Sequence, residues 1–187
     1  MRLRIMLAAV CAVAGLAGMA TLVVAKKPAP KTIKVVLKNG NGAPVGSASF
    51  TALTAKSPVI VRVSVRRQQP GFHGFHIHAT GSCVGPAFTS AGGHLKATDQ
   101  NHGDHIGDMS SLLVKRNGTA TLLLTTDRFK LADLRDADGS AVMVHAGPDN
   151  YANIPPRYAP AGPDQMTLDT GDSGARVVCG AIAPAAR

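Results

Sequence analysis

Residues 71–78 read GFHGFHIH and hold three of the seven histidines in this 187-residue chain. On a β-strand, residues i and i+2 point to the same face, so His76 and His78 would present both imidazoles on one side of a strand. That geometry suits a metal ion, although a pair of surface histidines has the same spacing. His73 falls before a bend predicted at Gly74, and we expect it to make a structural hydrogen bond to the backbone.

Short segments of alternating apolar and polar residues surround this stretch at fairly regular intervals. Turn sequences such as Asn39-Gly40 and Asn117-Gly118 separate them, and helical periodicity is nearly absent apart from one or two turns within residues 127–136. This pattern predicts an all-β fold, an antiparallel sandwich or barrel of about eight strands. The expected strands are 33–37, 47–53, 59–67, 72–79, 111–115, 119–125, 140–146 and 176–182.

The first 25 residues have the pattern of a secretory signal peptide. Arg2 and Arg4 precede an uncharged apolar run at residues 5–25, whose last residues are small enough for cleavage. An uncleaved membrane anchor is the alternative, because the run approaches the roughly 20 residues that span a bilayer. Residues 26–31 then form a short linker and residues 32–187 a single domain, which we expect to be secreted, periplasmic or held at the cell envelope.

Outside that first segment, the chain has two cysteines, Cys83 and Cys179. In a chain that leaves the reducing cytosol, an even pair predicts a disulfide, with two buried free thiols as the alternative. The formal net charge is +9, yet Lys and Arg occur singly or as doublets and the chain has only 5 Phe and 2 Tyr. Nucleic acid is therefore not an expected partner. A positive field would instead attract a small anion.

Two long stretches, 81–107 and 147–174, are rich in Gly, Pro, Asp and Asn and are predicted to be loops. Loops of this length inside a compact domain are usually functional or disordered. The first stretch contains His94, His102 and His105, and Asp108 follows it directly. Three imidazoles and a carboxylate make a full ligand set for zinc. A solvated polar loop would explain the Asp and Gly residues but not three histidines.

His145 ends the apolar run at residues 141–144. A lone histidine in that position is most often a satisfied core residue. Together with the others, however, it allows six of the seven histidines to be assigned to one metal centre.

From about residue 32 to residue 183, the chain resembles the copper,zinc superoxide dismutases, and in particular their secreted bacterial branch. Several motifs occur in the order found in that family, which is hard to explain by coincidence. The motifs are GFHGFHIH at 71–78, Cys83, AGGH at 91–94, HIGD at 105–108, VH at 144–145 and GARVVCG at 174–180.

The resemblance implies a Greek-key β-barrel of eight antiparallel strands with two long functional loops. It also implies two metal sites that share His94 as a bridging ligand. Asp149 matches a carboxylate that hydrogen-bonds ligand histidines of both sites, and Cys83 and Cys179 match the family disulfide. The implied copper ligands are His76, His78, His94 and His145, and the implied zinc ligands are His94, His102, His105 and Asp108.

The implied activity is the conversion of superoxide to dioxygen and hydrogen peroxide by cycling between Cu(II) and Cu(I). His94 would carry a proton to the peroxide, and Arg176 would bind the anionic substrate. A non-catalytic copper-binding or buffering module on the same fold is the alternative, because fold alone does not fix function. Arg176 favours the enzyme, since a buffer has no need for a cation beside a metal. The oligomeric state stays open.

The chain departs from the family in two places. His102 and His105 are only three residues apart, whereas the family has a longer excursion between the corresponding ligands. Zinc could therefore be bound by these residues weakly, bound by a different set, or absent. Residues 148–172 also differ from the family's charged guiding loop, which leaves the route of substrate approach open.

Overall fold

The computed structural model describes residues 31–186 of the chain. The predicted signal segment (1–25) and most of the predicted linker lie outside the described residues, and Lys31 already belongs to the first strand. This part of the chain contains nine strands and one short α-helix, α1 (Gln165–Thr170), joined by loops. The strands are β1 (Lys31–Asn39), β2 (Pro44–Ala52), β3 (Val59–Val65), β4 (Gly71–His73), β5 (Phe75–His78), β6 (Leu112–Val114), β7 (Ala120–Thr126), β8 (Ser140–His145) and β9 (Arg176–Ile182).

The strands form a seven-stranded sheet in the order β5-β8-β9-β1-β2-β3-β7 and a two-stranded sheet of β4 and β6. Every pairing is antiparallel. Because β6 also lies beside β7, the two sheets curl around one core. The all-β antiparallel architecture predicted from the alternating pattern is confirmed.

Alternation along the strands places the apolar residues inside. In β3, Val59, Val61, Val63 and Val65 are buried while Arg62 is exposed. β8 is buried throughout, which its unbroken apolar run predicts for a strand covered on both faces. The largest residues of the core are Phe50, Phe75, Phe129, Leu37, Ile77, Leu112 and Leu134.

The segment predicted as one strand at 72–79 is two strands, which separate at Gly74. Gly74 donates its N–H to the carbonyl of Gly147 at 2.8 Å and accepts from the N–H of His145 at 2.9 Å. A β-carbon at Gly74 would lie 2.6 Å from the β-carbon of Ser173, so only glycine fits the crossing. The break sends β4 to β6 and β5 to β8, and it accounts for nine strands where about eight were expected.

One helical feature agrees with the expectation and one does not. Residues 127–136 contain a single 3-10 turn at Asp133–Arg135, within the one or two turns expected, whereas α1 lies inside the long stretch predicted as loop. Asp164 caps α1 by accepting from the N–H of Thr167 at 2.9 Å, and Gly171 ends it in a left-handed conformation. With six residues, α1 is too short to show a helical period in the sequence.

Two predictions about single residues are confirmed. His73 is buried, and its Nδ1 and Nε2 lie 2.6 Å and 2.8 Å from the carbonyl oxygens of His145 and Gln69. Cys83 and Cys179 form a disulfide with their Cα atoms 5.8 Å apart. Within residues 31–186 there is no helix with the length and hydropathy required to cross a membrane.

Candidate metal centre

The chain brings the histidines together by folding the loop after β5 back along that strand. His78 forms an isolated antiparallel bridge with His94, and His76 forms one with Asp108. β8 pairs with β5 on the other side and delivers His145 from its last position. Two neighbouring strands and one returning loop therefore supply the donors, which is why His78 and His145 meet although they are 67 positions apart in sequence.

The first group of donors consists of four buried imidazoles, whose ligand atoms all lie within 4.8 Å of one another. The Nε2 atoms of His78 and His145 are 3.4 Å apart. Four imidazole nitrogens suit copper in both of its common oxidation states. The group is His76, His78, His94 and His145.

The second group has the spacing of a tetrahedral zinc site. Oδ1 of Asp108 lies 3.1 Å from His94 Nδ1, 3.3 Å from His102 Nδ1 and 3.4 Å from His105 Nδ1. His94 Nδ1 and His105 Nδ1 are also 3.4 Å apart. Atoms with this spacing are neighbouring corners of a tetrahedron whose centre lies about 2 Å from each corner, the length of zinc–nitrogen and zinc–oxygen bonds.

His76 stands where the two groups meet, because donor atoms of His76, His94, His102 and Asp108 also lie within 4.8 Å of one another. His105 falls outside that set of four. Its Nδ1 nevertheless approaches His94 Nδ1 and Asp108 Oδ1 to 3.4 Å, so His105 completes the second group.

Five of these histidines each donate one ring N–H to an oxygen atom, and this fixes which nitrogen is left as a donor of lone-pair electrons. The acceptors are carbonyl oxygens or carboxylates, which cannot donate. The remaining ring nitrogen is therefore unprotonated in the neutral imidazole and faces the other histidines. The pairs are His76–Asp149 (2.6 Å), His102–Asp149 (2.7 Å), His78–Gly92 (2.9 Å), His145–Gly174 (2.9 Å) and His105–Gln100 (3.1 Å).

Asp149 joins the two groups. Its Oδ2 accepts from His76 Nε2 and its Oδ1 from His102 Nε2, and all three side chains are fully buried. One carboxylate thus orients one histidine of each group, with both Nδ1 atoms left free.

Those two Nδ1 atoms, of His76 and His102, are the buried side-chain nitrogens that find no hydrogen-bond partner among the described residues. The 3.3 Å approach of His102 Nδ1 to Asp108 lacks hydrogen-bond geometry. A buried polar atom without a partner costs about 1 to 3 kcal/mol, so its persistence needs an explanation. One such atom lies in each group, and a metal ion supplies the missing partner for each. The residues present therefore fit copper and zinc.

Burial keeps most of these imidazoles neutral and ready to bind a metal. Burial, with the neighbouring His94, lowers the pKa of His78 to about 2. Burial likewise lowers the pKa of His94 and of His145 to about 4. His102 differs: burial alone would lower its pKa, but the neighbouring carboxylates of Asp108 and Asp149 outweigh burial and raise the pKa to about 9. A zinc ion in the second group would displace that proton.

Arg176, the first residue of β9, reaches the mouth of the first group. Its Nη1 donates to the carbonyl of Phe88 at 2.8 Å and its Nη2 to the carbonyl of Gly92 at 2.7 Å. Arg176 lines a cavity of about 700 Å³ together with His78, His94 and His145. The guanidinium is thus fixed beside the imidazoles with space for a small anion.

The disulfide holds the loop that carries those two carbonyls. Cys83 lies a few residues before Phe88, and Cys179 lies in β9 three residues after Arg176. The disulfide therefore links β9, which carries Arg176, to the loop whose carbonyls accept hydrogen bonds from Arg176. At the cavity's rim, Lys96 and Asp169 form an ion pair of 3.2 Å.

The structure brings together every site residue predicted from the sequence. These residues include His102, whose short separation from His105 had left the zinc ligands open. Sequence reasoning missed two residues that touch the centre, Tyr151 and Gly171. Tyr151 stacks on His102 with ring centroids 6.3 Å apart and 18° between the planes. At Gly171, a β-carbon would overlap Asp149 Oδ1 and His102 Nε2. A single aromatic residue in a polar loop and a glycine after a short helix gave no distinctive signal.

Comparison with known proteins agrees with this arrangement. The sequence model of the family described as copper/zinc superoxide dismutase (SODC) matches residues 45–182. The "Superoxide dismutase [Cu-Zn]" of Mycolicibacterium paratuberculosis is 40% identical over 170 residues, which cover 82% of this chain and 75% of that protein. The protein of the same name from Mycobacterium tuberculosis is 39% identical over 173 residues, 84% of this chain and 72% of that protein.

Solved structures of similar proteins share the fold. A SOD-like protein from Bacillus subtilis superposes with a TM-score of 0.63 at 32% identity, over 79% of this chain and 96% of that one. The Cu/Zn superoxide dismutase from Brucella abortus gives a TM-score of 0.63 at 27% identity, over 81% of this chain and 99% of that one.

Proposed function

The chain belongs to the copper/zinc superoxide dismutase family and is a superoxide dismutase with copper and zinc as cofactors, and from that premise we propose how its residues divide the work. The first group of imidazoles would hold copper. The second group, with Asp108, would hold zinc despite its short loop. His94 belongs to both groups and would be a ligand in each.

The observation that carries this assignment is the pair of buried, unpartnered Nδ1 atoms on His76 and His102, one in each group. Both are turned inward by the two oxygens of one carboxylate, Asp149. Copper in the first group would supply the missing partner of His76 Nδ1, and zinc in the second group would supply that of His102 Nδ1.

Bound copper supplies one-electron oxidation and reduction, so that one superoxide loses an electron and leaves as dioxygen while a second gains an electron and two protons and leaves as hydrogen peroxide. Arg176 binds the incoming anion, because its guanidinium is a permanent cation. The two carbonyls that accept from it at 2.8 Å and 2.7 Å restrict its rotation and keep it beside His145 and His78.

His94 handles a proton. Its Nδ1 lies among the zinc donors, 3.1 Å from Asp108, which leaves Nε2 toward the copper donors. His94 lines the same cavity as Arg176, so a proton held at Nε2 is within reach of substrate bound there.

The protein acts outside the cytosol, in the medium, the periplasm or the cell envelope. The disulfide between Cys83 and Cys179 supports this compartment, because such bridges persist in oxidising surroundings. The apolar run at residues 5–25 supplies the export signal. N-terminal sequencing of the mature protein from fractionated cells would separate a cleaved signal from a retained anchor, and a full-length chain found in the cytosol would contradict export.

A copper-buffering module is the second candidate function. The complete set of copper ligands supports it, because such a set accounts for copper binding without any catalysis. Two variants separate it from the enzyme. His145→Ala should lose copper and activity together. Arg176→Ala should keep its copper while its dismutation rate falls and becomes less sensitive to ionic strength, because the steering cation is gone.

Arg62→Ala is the matched control for Arg176→Ala, since Arg62 is an exposed cation of β3 that does not line the cavity. Its rate and salt dependence should equal those of the unchanged protein. If Arg176→Ala retains both copper and the full rate, the role assigned to Arg176 is wrong. An unchanged protein that binds copper but does not dismutate superoxide would instead favour the buffer.

A further inference from the structure

The connection between His102 and His105 is short and offers few side chains that could cover the His102 ring. Only Gly103 and Asp104 lie between the two histidines. The His102 side chain is nonetheless fully buried. Another part of the chain must therefore supply the cover.

That cover is the phenol ring of Tyr151, which stacks nearly parallel to the imidazole at a centroid distance of 6.3 Å. This lies within the range of offset-stacked aromatic pairs. Tyr151 remains 40% exposed, so its ring lies between His102 and solvent.

The backbone at this position is held in an uncommon conformation. Tyr151 and Ala152 both have left-handed φ angles, 56° and 53°, which non-glycine residues seldom adopt. Oδ1 of Asp149 accepts from the N–H of Tyr151 at 2.7 Å, and Oδ1 of Asn150 accepts from the N–H of Ala152 at 2.8 Å. Strain of this kind persists only where the surroundings enforce it, and it concentrates at functional sites.

The same Asp149 oxygen also accepts from His102 Nε2 at 2.7 Å. One atom thus fixes both the rotation of the His102 ring and the turn that lays Tyr151 over it. The far end of Tyr151 is anchored as well: its hydroxyl accepts from the N–H of Ser111 at 2.8 Å and lies 3.0 Å from the Ser111 hydroxyl.

The two loops fit against each other closely. Gly103 has a φ of +93°, and a β-carbon there would come 2.8 Å from the carbonyl oxygen of Tyr151. The short zinc loop is thus packed directly against the backbone that carries the covering ring.

We infer that Tyr151 is a positioning residue for zinc, one that holds the His102 imidazole in ligand orientation in place of the residues missing from the short loop. This inference rests on the proposed assignment of His102 to zinc. Groups that orient a metal ligand typically change metal affinity by about 10- to 100-fold when they are removed. Tyr151 should act on the zinc side of the centre only.

The test uses the full chain with Co(II), a spectroscopic probe that occupies tetrahedral zinc sites, and zinc itself. Tyr151→Ala should weaken Co(II) and zinc binding by about 10-fold or more and alter the visible spectrum of the bound Co(II). Tyr151→Phe keeps the ring but loses the hydrogen bonds to Ser111. Its affinity for Co(II) and zinc should therefore lie between those of the unchanged protein and Tyr151→Ala. The Cu(II) electron paramagnetic resonance signal should stay unchanged in both variants.

Tyr158→Ala is the control, because Tyr158 lies in the same long loop but is 72% exposed and stacks under Arg157 instead of a histidine. It should bind Co(II) like the unchanged protein. Tyr151→Ala with unchanged Co(II) affinity and spectrum would overturn the inference, even if its thermal stability fell. An unchanged protein that takes up neither Co(II) nor zinc at this site would overturn the zinc assignment itself, and the role of Tyr151 with it.

Discussion

At the scale of single residues, the centre depends on how each imidazole is turned. Asp149 supplies both oxygens that orient His76 and His102, and Gly171 leaves the space in which that contact is made. A sequence pattern can show that histidines are present. The family resemblance also identified the carboxylate acceptor Asp149, but the backbone carbonyls that orient His78, His145 and His105 could not be read from the sequence.

Gly171→Ala should disrupt this contact, because its β-carbon would overlap Asp149 Oδ1 and His102 Nε2. The expected result is a loss of copper and zinc affinity of about 10-fold or more. Competition with a chelator, followed by metal analysis, measures it.

Gly162→Ala is the matched control. Gly162 also has a positive φ, +87° against +60° for Gly171, but a β-carbon there meets nothing within 4 Å. Both variants should lose about 1 to 2 kcal/mol of stability from the left-handed conformation, and only Gly171→Ala should lose metal affinity. Equal metal content in the two variants would show that the space at Gly171 is not needed.

At the scale of secondary-structure elements, most strands and the positions of the long loops were predictable, but the conformations within the loops were not. Strong alternation marked β3, and an unbroken apolar run marked β8. The His76 and His78 pair followed from the two-residue period of β5. A bend at Gly74 was expected, but the division of the segment into two strands depends on contacts with the distant residues Gly147 and Ser173, which no local pattern encodes. The six-residue helix α1 is too short to show a helical period.

The disulfide between Cys83 and β9 should stabilise both the fold and the position of Arg176, the proposed anion-binding residue. Its cysteines are 96 residues apart in sequence, and closing a loop of that size contributes up to about 4 to 5 kcal/mol by chain entropy, with 2 to 5 kcal/mol usual on removal. Cys83→Ser with Cys179→Ser should therefore lower the free energy of unfolding by a few kcal/mol.

The same double variant should also show lower activity per bound copper, because Phe88 and Gly92, which anchor Arg176, lie in the loop that the bridge holds. Urea denaturation and a dismutation assay normalised to copper measure the two effects. Unchanged activity per copper would mean that the loop holds Arg176 without the bridge.

At the scale of the whole molecule, the metal-free protein should lose stability in mild acid. The folded-state pKa values of His78, His94 and His145 are lowered to about 2, 4 and 4, mainly by burial. Below the ordinary histidine pKa of about 6.5, the unfolded chain binds protons that the folded chain excludes. Each such group then lowers the free energy of unfolding by up to about 1.4 kcal/mol per pH unit.

His102 acts in the opposite direction. Its pKa is raised to about 9, so its contribution is complete below about pH 6.5 and is lost as the pH rises toward 9. The contribution of His102 therefore stays constant below about pH 6.5 and does not offset the stability that the other three histidines lose there. Urea midpoints of the metal-free protein should fall from pH 6.5 to pH 5, and a midpoint that stays level or rises over that interval would contradict the buried, neutral state of these histidines.

The most direct test of the central claim is a metal analysis and a dismutation assay on the same purified sample. The account predicts copper and zinc each equimolar with the chain, and a superoxide dismutation rate that rises in proportion to copper content. Copper bound at one equivalent with dismutation no faster than in buffer alone would contradict it.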